Sequence, residues 1–326
     1  MPDVTFVALV HPSWDFSRPH AGTCIIGGYM AGFRQIGIPA KTIPDTDAEF
    51  LLPTIRNPII LAGYDNFARL SRSGRAALRR YPHFIWVNVW ADNINQVAEE
   101  CGHPDPRIPL EHYRHILDSG ASFLFCNSPE AYFGYYENWI RHGQKLVSLF
   151  EACDTTRYYP EPALSIFSDV EMALVNGYFS RKEPRYRKYL WPYEDRLEIW
   201  AYNTWPRCYK GYLHVEAERV LYQNAKVCPA IGEDFAERIG AFYERPFKVL
   251  GSGGLVVTGV LPGYREVFND DELLMPETVD EFHDMIMLVL HDEDFNKDYR
   301  EAGHKAVLEN HTYAHRARQI LELLDV

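Results

Sequence analysis

The chain has 326 residues, a hydrophobic fraction of 47%, a charged fraction of 24% and a formal net charge of −12 at neutral pH. These fractions are ordinary for a soluble globular protein, and the length favours two domains over a single core. The negative charge excludes a general electrostatic attraction to nucleic acid or to an anionic membrane, although a local basic patch is compatible with it.

The first half of the chain alternates short apolar runs with helical patterns. Strands are predicted at residues 4–10, 40–43, 58–62, 84–89, 122–126 and 145–150. Helices are predicted at 22–36 and 67–80, and a third opens at Ser128-Pro129 and runs to residue 141. This alternation predicts an α/β fold with a doubly wound parallel sheet, in which ligands lie at the carboxyl ends of the strands.

Polar residues on the loops after these strands are candidates for acid–base chemistry. His11, Asp15 and His20 follow the first strand, and Asp92 follows the fourth. A histidine or carboxylate at this rim is suited to take a proton from a hydroxyl group. The alternative is loop capping, which also places aspartate and histidine at strand ends.

The alternation restarts beyond a polar linker at residues 151–164. Strands are predicted at 169–175, 197–201, 225–231 and 255–258, and helices at 183–190 and 215–222. Three amphipathic helices are predicted to close the chain, at 279–290, 294–310 and 313–324. The two halves have the same kind of pattern, which predicts two α/β domains.

The segment at residues 242–268 joins a short helix, a glycine turn and a buried strand. Arg245 and Lys248 lie three residues apart, so they share one helix face. Gly251, Gly253 and Gly254 follow them and permit a close approach to the backbone. Two cations beside a glycine turn suit an anion such as a diphosphate. The alternative is a C-capped helix with a solvated basic edge.

Several familiar motifs are missing from the sequence. No Gly-x-Gly-x-x-Gly follows the first strand and no Walker A sequence occurs, so dinucleotide redox chemistry and nucleotide hydrolysis lack their usual motifs. No His-Glu-x-x-His or close His/Cys cluster occurs, and we predict no metal site. Six cysteines without a Cys-x-x-Cys pair indicate a reducing compartment. Without a signal peptide or an apolar run of membrane-spanning length, we expect a cytoplasmic protein.

The order of short motifs in the second half resembles a known family. The motifs are Asn-Gly-Tyr at 176–178, Tyr-Asn-Thr-Trp at 202–205, Glu-Arg-Pro-Phe-Lys-Val-Leu-Gly-Ser-Gly-Gly at 244–254 and His-Thr-Tyr-Ala-His-Arg at 311–316. The linker at 152–160 and Cys-Asn-Ser-Pro-Glu at 126–130 fit the same order. Over residues 120–326 the chain resembles the spore-maturation CgeB-like glycosyltransferases, which are similar to the group 1 glycosyl transferases.

This resemblance implies a GT-B fold, with two Rossmann-like domains facing each other across a cleft. It implies an acceptor-side domain at 1–152, a nucleotide-sugar donor domain at 153–310 and a C-terminal helix at 311–326 that packs back on the first domain. The implied enzyme is a hexosyltransferase-like glycosyltransferase that uses a nucleotide-sugar, interpreted here as a UDP-sugar, and a hydroxyl acceptor. No cofactor or metal is expected, because cationic side chains and helix N-termini neutralise the leaving diphosphate.

The resemblance also assigns residues to the donor site. Arg245 matches the arginine of the family's Arg-x-Phe-Glu motif, whereas Lys248 stands where the family has a glutamate that contacts the ribose. Glu244 or Glu266 is the candidate substitute for that glutamate. The full set of donor residues is Asn176, Gly177, Arg181, Lys182, Tyr202, Asn203, Trp205, Arg245, Lys248, Gly253, Gly254, Tyr264 and Glu266.

Some of these donor assignments have structural alternatives. Arg181 and Lys182 are equally compatible with a solvated helix face. Trp205 is compatible with core packing as well as with stacking on a nucleobase. Tyr264 and Glu266 are compatible with a plain helix cap.

Other functions stay open at the level of the sequence. A nucleotide-sugar epimerase would convert the donor without an acceptor, and a non-catalytic module would bind nucleotide or sugar without turnover. A DNA-base glycosyltransferase would need a basic surface, for which the arginines at 69, 72, 75, 79 and 80 are candidates unless they form a solvated helix face. The acceptor, whether sugar, small molecule, protein or modified nucleic acid, also stays open, as do the stereochemistry and the oligomeric state.

Overall fold

The computed structural model describes residues 3–17, 21–87, 110–161 and 165–326. The chain divides into two compact units. Unit 1 contains Met1–Asp15, Ile26–Phe150 and Tyr313–Val326, and unit 2 contains Phe16–Ile25 and Glu151–Thr312. The sequence predicts residues 16–25 in the first domain, whereas the structure groups them with unit 2. There the Cys24 Sγ lies 3.8 Å from Tyr158 Oη and 4.0 Å from Lys248 Nζ.

Unit 1 is built on a parallel sheet. Its described strands are β1 (Thr5–Val10), β2 (Ala40–Pro44), β3 (Pro58–Gly63), β4 (His83–Trp86), β5 (Phe123–Cys126) and β6 (Leu146–Ser148). They lie in the order β2-β1-β3-β4-β5-β6, and each adjacent pair is parallel. β1 and β3 have neighbours on both sides and are buried along nearly their whole length, which explains their uninterrupted apolar sequences.

Of the helices predicted in the first half, the one at 22–36 has the predicted length, and the other two are shorter in the structure. The described ones are α1 (Ala21–Gln35), α2 (Ala48–Leu51), α3 (Tyr64–Arg69), α4 (Arg72–Leu78), α5 (Leu110–Leu117) and α6 (Glu137–Arg141). The single helix predicted at 67–80 is wrong, because Ser71 divides it into α3 and α4. The Ser71 hydroxyl oxygen accepts the backbone N–H of Gly74 at 2.9 Å and so caps a new helix.

Unit 2 contains a second set of parallel strands. They are β7 (Met172–Val175), β8 (Leu197–Trp200), β9 (Tyr209–Gly211), β10 (Cys228–Ala230) and β11 (Val256–Thr258). β7, β8 and β9 pair in that order, β10 pairs with β11, and a parallel bridge between Met172 and Val227 joins the two groups. The sequence does not predict β9, because its Tyr-Lys-Gly lacks an apolar run.

Helices complete unit 2. The described ones are α7 (Glu183–Tyr189), α8 (Val215–Asn224), α9 (Asp234–Ile239), α10 (Glu244–Gly251), α11 (Val279–His291) and α12 (Glu293–Asn310). α9 is too short to show a clear helical period, and the sequence does not predict it. None of the described helices is both long and apolar enough to cross a membrane.

The last helix, α13 (Tyr313–Leu323), packs on α1 within unit 1. The rings of Tyr29 and Tyr313 meet edge to face at 4.9 Å. A Cβ atom on Gly32 would lie 2.2 Å from the Tyr313 carbonyl oxygen, so a glycine is required for this close approach. Arg316 is buried and donates from Nε to the Phe150 carbonyl oxygen at 3.0 Å.

Candidate functional site

A cavity of about 220 Å³ opens within unit 2 at the carboxyl end of β7. Its volume is below the roughly 300–1,000 Å³ of pockets for drug-sized ligands, so it can enclose only part of a ligand of that size. The carboxyl end of a parallel strand is the usual ligand position in an α/β sheet. The lining residues are Ala21, Glu151, Val175, Asn176, Gly177, Phe179, Lys182, Tyr202, Glu218, Tyr243, Glu244, Arg245 and Lys248.

The start of α10 forms one wall of this cavity. Tyr243 is extended, with φ −127° and ψ 149°, and no described side chain caps the helix. The first backbone N–H groups of a helix have no partner inside the helix, and the helix dipole adds partial positive charge there. This wall is therefore suited to bind an anion.

Arg245, in the first turn of α10, supplies a full positive charge beside this wall. Its Nη2 donates to Asn176 Oδ1 at 2.8 Å, which links α10 to the end of β7. Among the cavity residues whose side chains are described, Arg245 is the cation without a carboxylate partner. Because a guanidinium binds phosphate oxygens in pairs, Arg245 is the strongest candidate for a diphosphate contact.

Lys182 also lines the cavity, but a carboxylate partly compensates its positive charge. Its Nζ lies 3.0 Å from Glu233 Oε1, and both side chains are largely buried. The Nζ also lies 5.4 Å from the centre of the Phe179 ring. Lys182 therefore contributes less net positive charge to the cavity than Arg245 does.

Lys248 forms the cationic centre of a buried network at the base of the cavity. Its Nζ lies 2.9 Å from Glu244 Oε1 and 3.5 Å from Glu218 Oε2. Burial opposes the charged form, but the two nearby carboxylates outweigh it and raise the pKa of Lys248. Burial raises the pKa of the Cys24 thiol to about 12, so this thiol is neutral at pH 7 and the carboxylates provide the stabilisation.

The two carboxylates of this network have different surroundings. Glu218 accepts hydrogen bonds from the hydroxyl groups of Tyr158 and Tyr222 as well as facing Lys248. Glu244 accepts from Lys248 through Oε1 alone, and its buried Oε2 has no hydrogen-bond partner among the described residues. Sequence analysis did not assign Glu218 to the site.

Tyr202 lies directly over the glycine that follows Asn176. A Cβ atom on Gly177 would lie 2.5 Å from Tyr202 Oη, so a side chain at position 177 would displace the ring. Tyr202 is 45% exposed and lines the cavity. An exposed tyrosine ring at the cavity suits stacking against a base or a sugar.

Two predicted donor residues support the cavity from behind. Asn203 accepts the Tyr178 N–H at 2.7 Å and donates to the Tyr178 carbonyl oxygen at 2.8 Å, which fixes the loop after β7. Trp205 is 3% exposed, donates from Nε1 to the Asn176 carbonyl oxygen at 2.7 Å and packs on Tyr186 at 4.6 Å. Neither lines the cavity, and the structure gives both a packing role.

Four further predicted donor residues lie away from the cavity lining. Gly253 has φ +74° in the turn after α10, and Gly254 packs against α8. Tyr264 is buried; its hydroxyl donates to the Tyr243 carbonyl oxygen at 2.9 Å and accepts the Tyr243 N–H at 2.8 Å. Glu266 is exposed at the end of a 3₁₀ helix. The glycines and Tyr264 hold α10 in place instead of lining the cavity.

The glycine role can be tested by a matched pair of substitutions. In Gly254→Ala the new Cβ would lie 2.4 Å from the Tyr222 carbonyl oxygen, and we expect a loss of about 1–3 kcal/mol in the free energy of unfolding. Gly134→Ala is the control, because a Cβ there meets no atom within 4 Å. Denaturant titration measures both. Equal stability of the two variants would contradict the packing role.

The residues predicted to supply a base lie in unit 1 or outside the described residues. His11 follows β1, and its Nδ1 accepts the Ser13 N–H at 3.1 Å. Asp15 is exposed. His20 and Asp92 lie outside the described residues, as does the side chain of Arg181. The identity of the base therefore stays a prediction.

Comparison with known proteins supports the interpretation of unit 2. Residues 182–322 match a family model described as glycosyl transferase-like. No curated protein matches the chain significantly. The described residues contain no group of three or more His, Cys, Asp and Glu side chains arranged to hold a metal ion.

Solved structures resemble the chain over nearly its whole length. Anabaena HepE in complex with UDP-glucose is 12% identical, with a TM-score of 0.62 and coverage of 98% of this chain and 99% of that one. Sucrose-phosphate synthase from Thermosynechococcus elongatus is 13% identical, with a TM-score of 0.65 and 98% coverage of both chains. T4 phage BGT in complex with its UDP-glucose substrate is 8% identical, with a TM-score of 0.61 and coverage of 99% and 100%.

These similarities show the fold, because all three proteins are GT-B glycosyltransferases. The GT-B fold predicted from the sequence is thereby confirmed. The chain has the GT-B fold, and the larger part of its unit 2 matches the glycosyl transferase-like model.

Proposed function

We propose that the chain transfers a sugar from a UDP-sugar to a hydroxyl acceptor and binds the donor diphosphate in the cavity of unit 2. The observation that carries this proposal is the Arg245 guanidinium, which has no described carboxylate partner and lies at the uncapped start of α10. A leaving diphosphate gains negative charge as the glycosidic bond breaks. Arg245 and the α10 backbone N–H groups would stabilise that charge without a metal.

The remaining cavity residues have supporting roles in this proposal. Asn176 holds Arg245 in position, and Tyr202 offers an aromatic face to the base or the sugar. We assign the acceptor to unit 1, where His11 and Asp15 stay the described candidates for the base that takes the hydroxyl proton. The acceptor is a hydroxyl of a sugar, a small molecule, a protein or a modified nucleic acid.

Two finer assignments are part of the proposal. The motif order from Asn176-Gly177-Tyr178 to the C-terminal tail supports the CgeB-like branch of the glycosyltransferases. The cytoplasm is the proposed location, and the free thiols of the five cysteines in the described residues support it.

The structure does not favour DNA as the acceptor through the arginines of α3 and α4. Arg69 pairs with Asp45 at 2.9 Å and with Asp65 at 3.3 Å. Arg75 donates to the Leu70 carbonyl oxygen, and Arg79 to the Ser119 carbonyl oxygen. Three of the five arginines are thus engaged within unit 1.

A thermal-shift panel in EDTA tests the proposal. The ligands are UDP, GDP, ADP, dTDP and CMP. We expect UDP to raise the melting temperature, since a ligand at about 100 times its Kd adds about 2.7 kcal/mol to the stability of the folded state. A shift that needs added divalent metal would contradict metal independence, and no shift with any nucleotide would contradict the donor assignment. Product analysis with UDP-sugar alone then separates an epimerase, which converts the donor, from a transferase.

A further inference from the structure

A hydrogen-bonded group of side chains lies at the carboxyl edge of the sheet in unit 1. Asp45 directly follows β2, and Asn66 and Arg69 lie on α3, which directly follows β3. Asp45 Oδ2 accepts from Asn66 Nδ2 at 3.0 Å, and from Arg69 Nη2 at 2.9 Å and Nε at 3.2 Å. The strand order β2-β1-β3 places the reversal of the sheet between β1 and β3. In open parallel sheets, ligands bind at the strand ends beside such a reversal.

The buried members of this group fix Arg69 in place. Asp45 is 4% exposed and Asn66 is 2% exposed, so their polar atoms are withdrawn from water and depend on hydrogen bonds within the group. The side chain of Arg69 is 39% exposed and therefore reaches the surface. A cation that is anchored on one side and open on the other loses little conformational freedom when it binds a ligand.

Asp65 lies on the open side of this group. Its side chain is 47% exposed, and its Oδ2 accepts from Arg69 Nη1 at 3.3 Å. A Cβ atom on Gly63 would lie 2.9 Å from Asp65 Oδ1, so the carboxylate lies over the end of β3. Among the described residues, three of the five N–H groups of Arg69 are used, and no donor faces Asp65 Oδ1. Hydrogen-bond donors and an acceptor therefore lie next to each other at the surface.

This pairing restricts the chemistry of a ligand. A hydroxyl group both donates and accepts hydrogen bonds, so two neighbouring hydroxyl groups match Asp65 and Arg69 together. A single serine or threonine hydroxyl offers only half of that match. A phosphate or carboxylate would meet the like charge of Asp65, and an ammonium group would meet the like charge of Arg69. The arrangement therefore suits a neutral molecule with adjacent hydroxyl groups.

We infer that Asp65 and Arg69 bind a pair of neighbouring hydroxyl groups of a neutral carbohydrate acceptor. This inference rests on the proposed function, since it takes the acceptor to bind in unit 1, and it gives that acceptor a chemical class. The four side chains of the group lie outside the lining of the nucleotide cavity. Acceptor binding can therefore be measured without a donor.

Saturation-transfer-difference NMR without nucleotide tests this binding. The probes are the neutral hexoses glucose, galactose and mannose, each with its uronic acid and its 2-amino sugar as charged counterparts. We expect wild type to give a signal with at least one neutral hexose. That signal should exceed the signal of the corresponding uronic acid by about fivefold or more, because the carboxylate of Asp65 repels the uronate.

Asp65→Ala should lower the neutral-hexose signal about 10-fold, the loss expected for a hydrogen bond to a charged group. The variant should fold, because it keeps the ion pair between Arg69 and the buried Asp45. The matched control is Glu137→Ala on α6. Glu137 also pairs with an arginine four residues later, Arg141, and its side chain is 52% exposed. UDP affinity should stay at the wild-type value in both variants, since neither residue lines the cavity.

Three results would overturn the inference alone. Wild type could give no signal with any neutral hexose, it could give stronger signals with the uronic acids, or Asp65→Ala could keep the wild-type signal. A wild-type protein that binds a neutral hexose through Asp65 but binds no nucleotide would instead overturn the proposed function. The two failures are therefore distinguishable.

Discussion

Replacing Arg245 with alanine is expected to weaken UDP binding by about 10- to 150-fold while the protein stays folded. The loss corresponds to the roughly 1.5–3 kcal/mol of a hydrogen bond to a charged group. The side chain is only partly buried, and its described hydrogen bond is to the neutral Asn176 amide, so its removal leaves no buried charge behind. Stability should therefore change much less than affinity does.

Arg187→Ala is the matched control for this experiment. Arg187 lies on α7 of the same unit, its side chain is 73% exposed, and its ion pair with Glu183 is of the surface type that contributes little. Calorimetric titration with UDP measures both variants against wild type. An unchanged UDP affinity in Arg245→Ala would remove Arg245 from the donor site.

The second large effect is expected at Lys248. Replacing it with methionine should lower the free energy of unfolding by about 3–5 kcal/mol, because two buried carboxylates lose their cation. The side chains of Glu218 and Glu244 are 1% and 13% exposed, so water compensates for little of this loss. A domain of this size loses roughly 2–4 °C of melting temperature per kcal/mol, so the drop should be roughly 6 °C or more.

Thermal unfolding measures this effect, with Lys297→Met as control. Lys297 pairs with Glu301 on the surface of α12, and its side chain is 71% exposed. In the Lys248→Met background, the additional change Glu218→Gln should recover part of the stability, since it removes one uncompensated charge. Equal melting temperatures for Lys248→Met and wild type would show that the buried network does not depend on its cation.

Much of the fold follows from local sequence pattern. β3 and β7 are fully buried apolar runs, and such runs can only be central strands or buried helices. The ends of the helices depend on side-chain capping, which the apolar pattern does not show. Ser71 splits a predicted helix because its side chain competes for the Gly74 N–H, and the surrounding apolar spacing does not reveal that competition.

The candidate site was only partly predictable. Asn176 and Arg245 follow from their positions at a strand end and a helix start. Gly253 and Gly254 show the limit of glycine patterns, because a tight helix contact and a ligand approach require the same missing side chain. Lys248 shares a helix face with Arg245, yet only the fold shows that its charge is already compensated.

The burial of Glu218 could be predicted only from its position on the helix. Glu216 and Glu218 both lie in the first turn of α8, and they look equivalent in sequence. The side chain of Glu216 is 55% exposed, whereas that of Glu218 is 1% exposed. Helical spacing distinguishes the two glutamates. Glu218 lies three and four residues before the buried Leu221 and Tyr222, so it shares their helix face. A carboxylate on an apolar face indicates a buried partner.

Hydrogen exchange with and without UDP tests the central claim most directly, because it locates the nucleotide on the chain. The donor assignment predicts slower amide exchange in residues 176–182 and 243–248, which contain the loop after β7 and the start of α10. Exchange in α11 and α12, which contribute no residue to the cavity lining, should stay unchanged. Saturating UDP that protects residues of unit 1 and leaves both cavity segments unchanged would contradict the assignment.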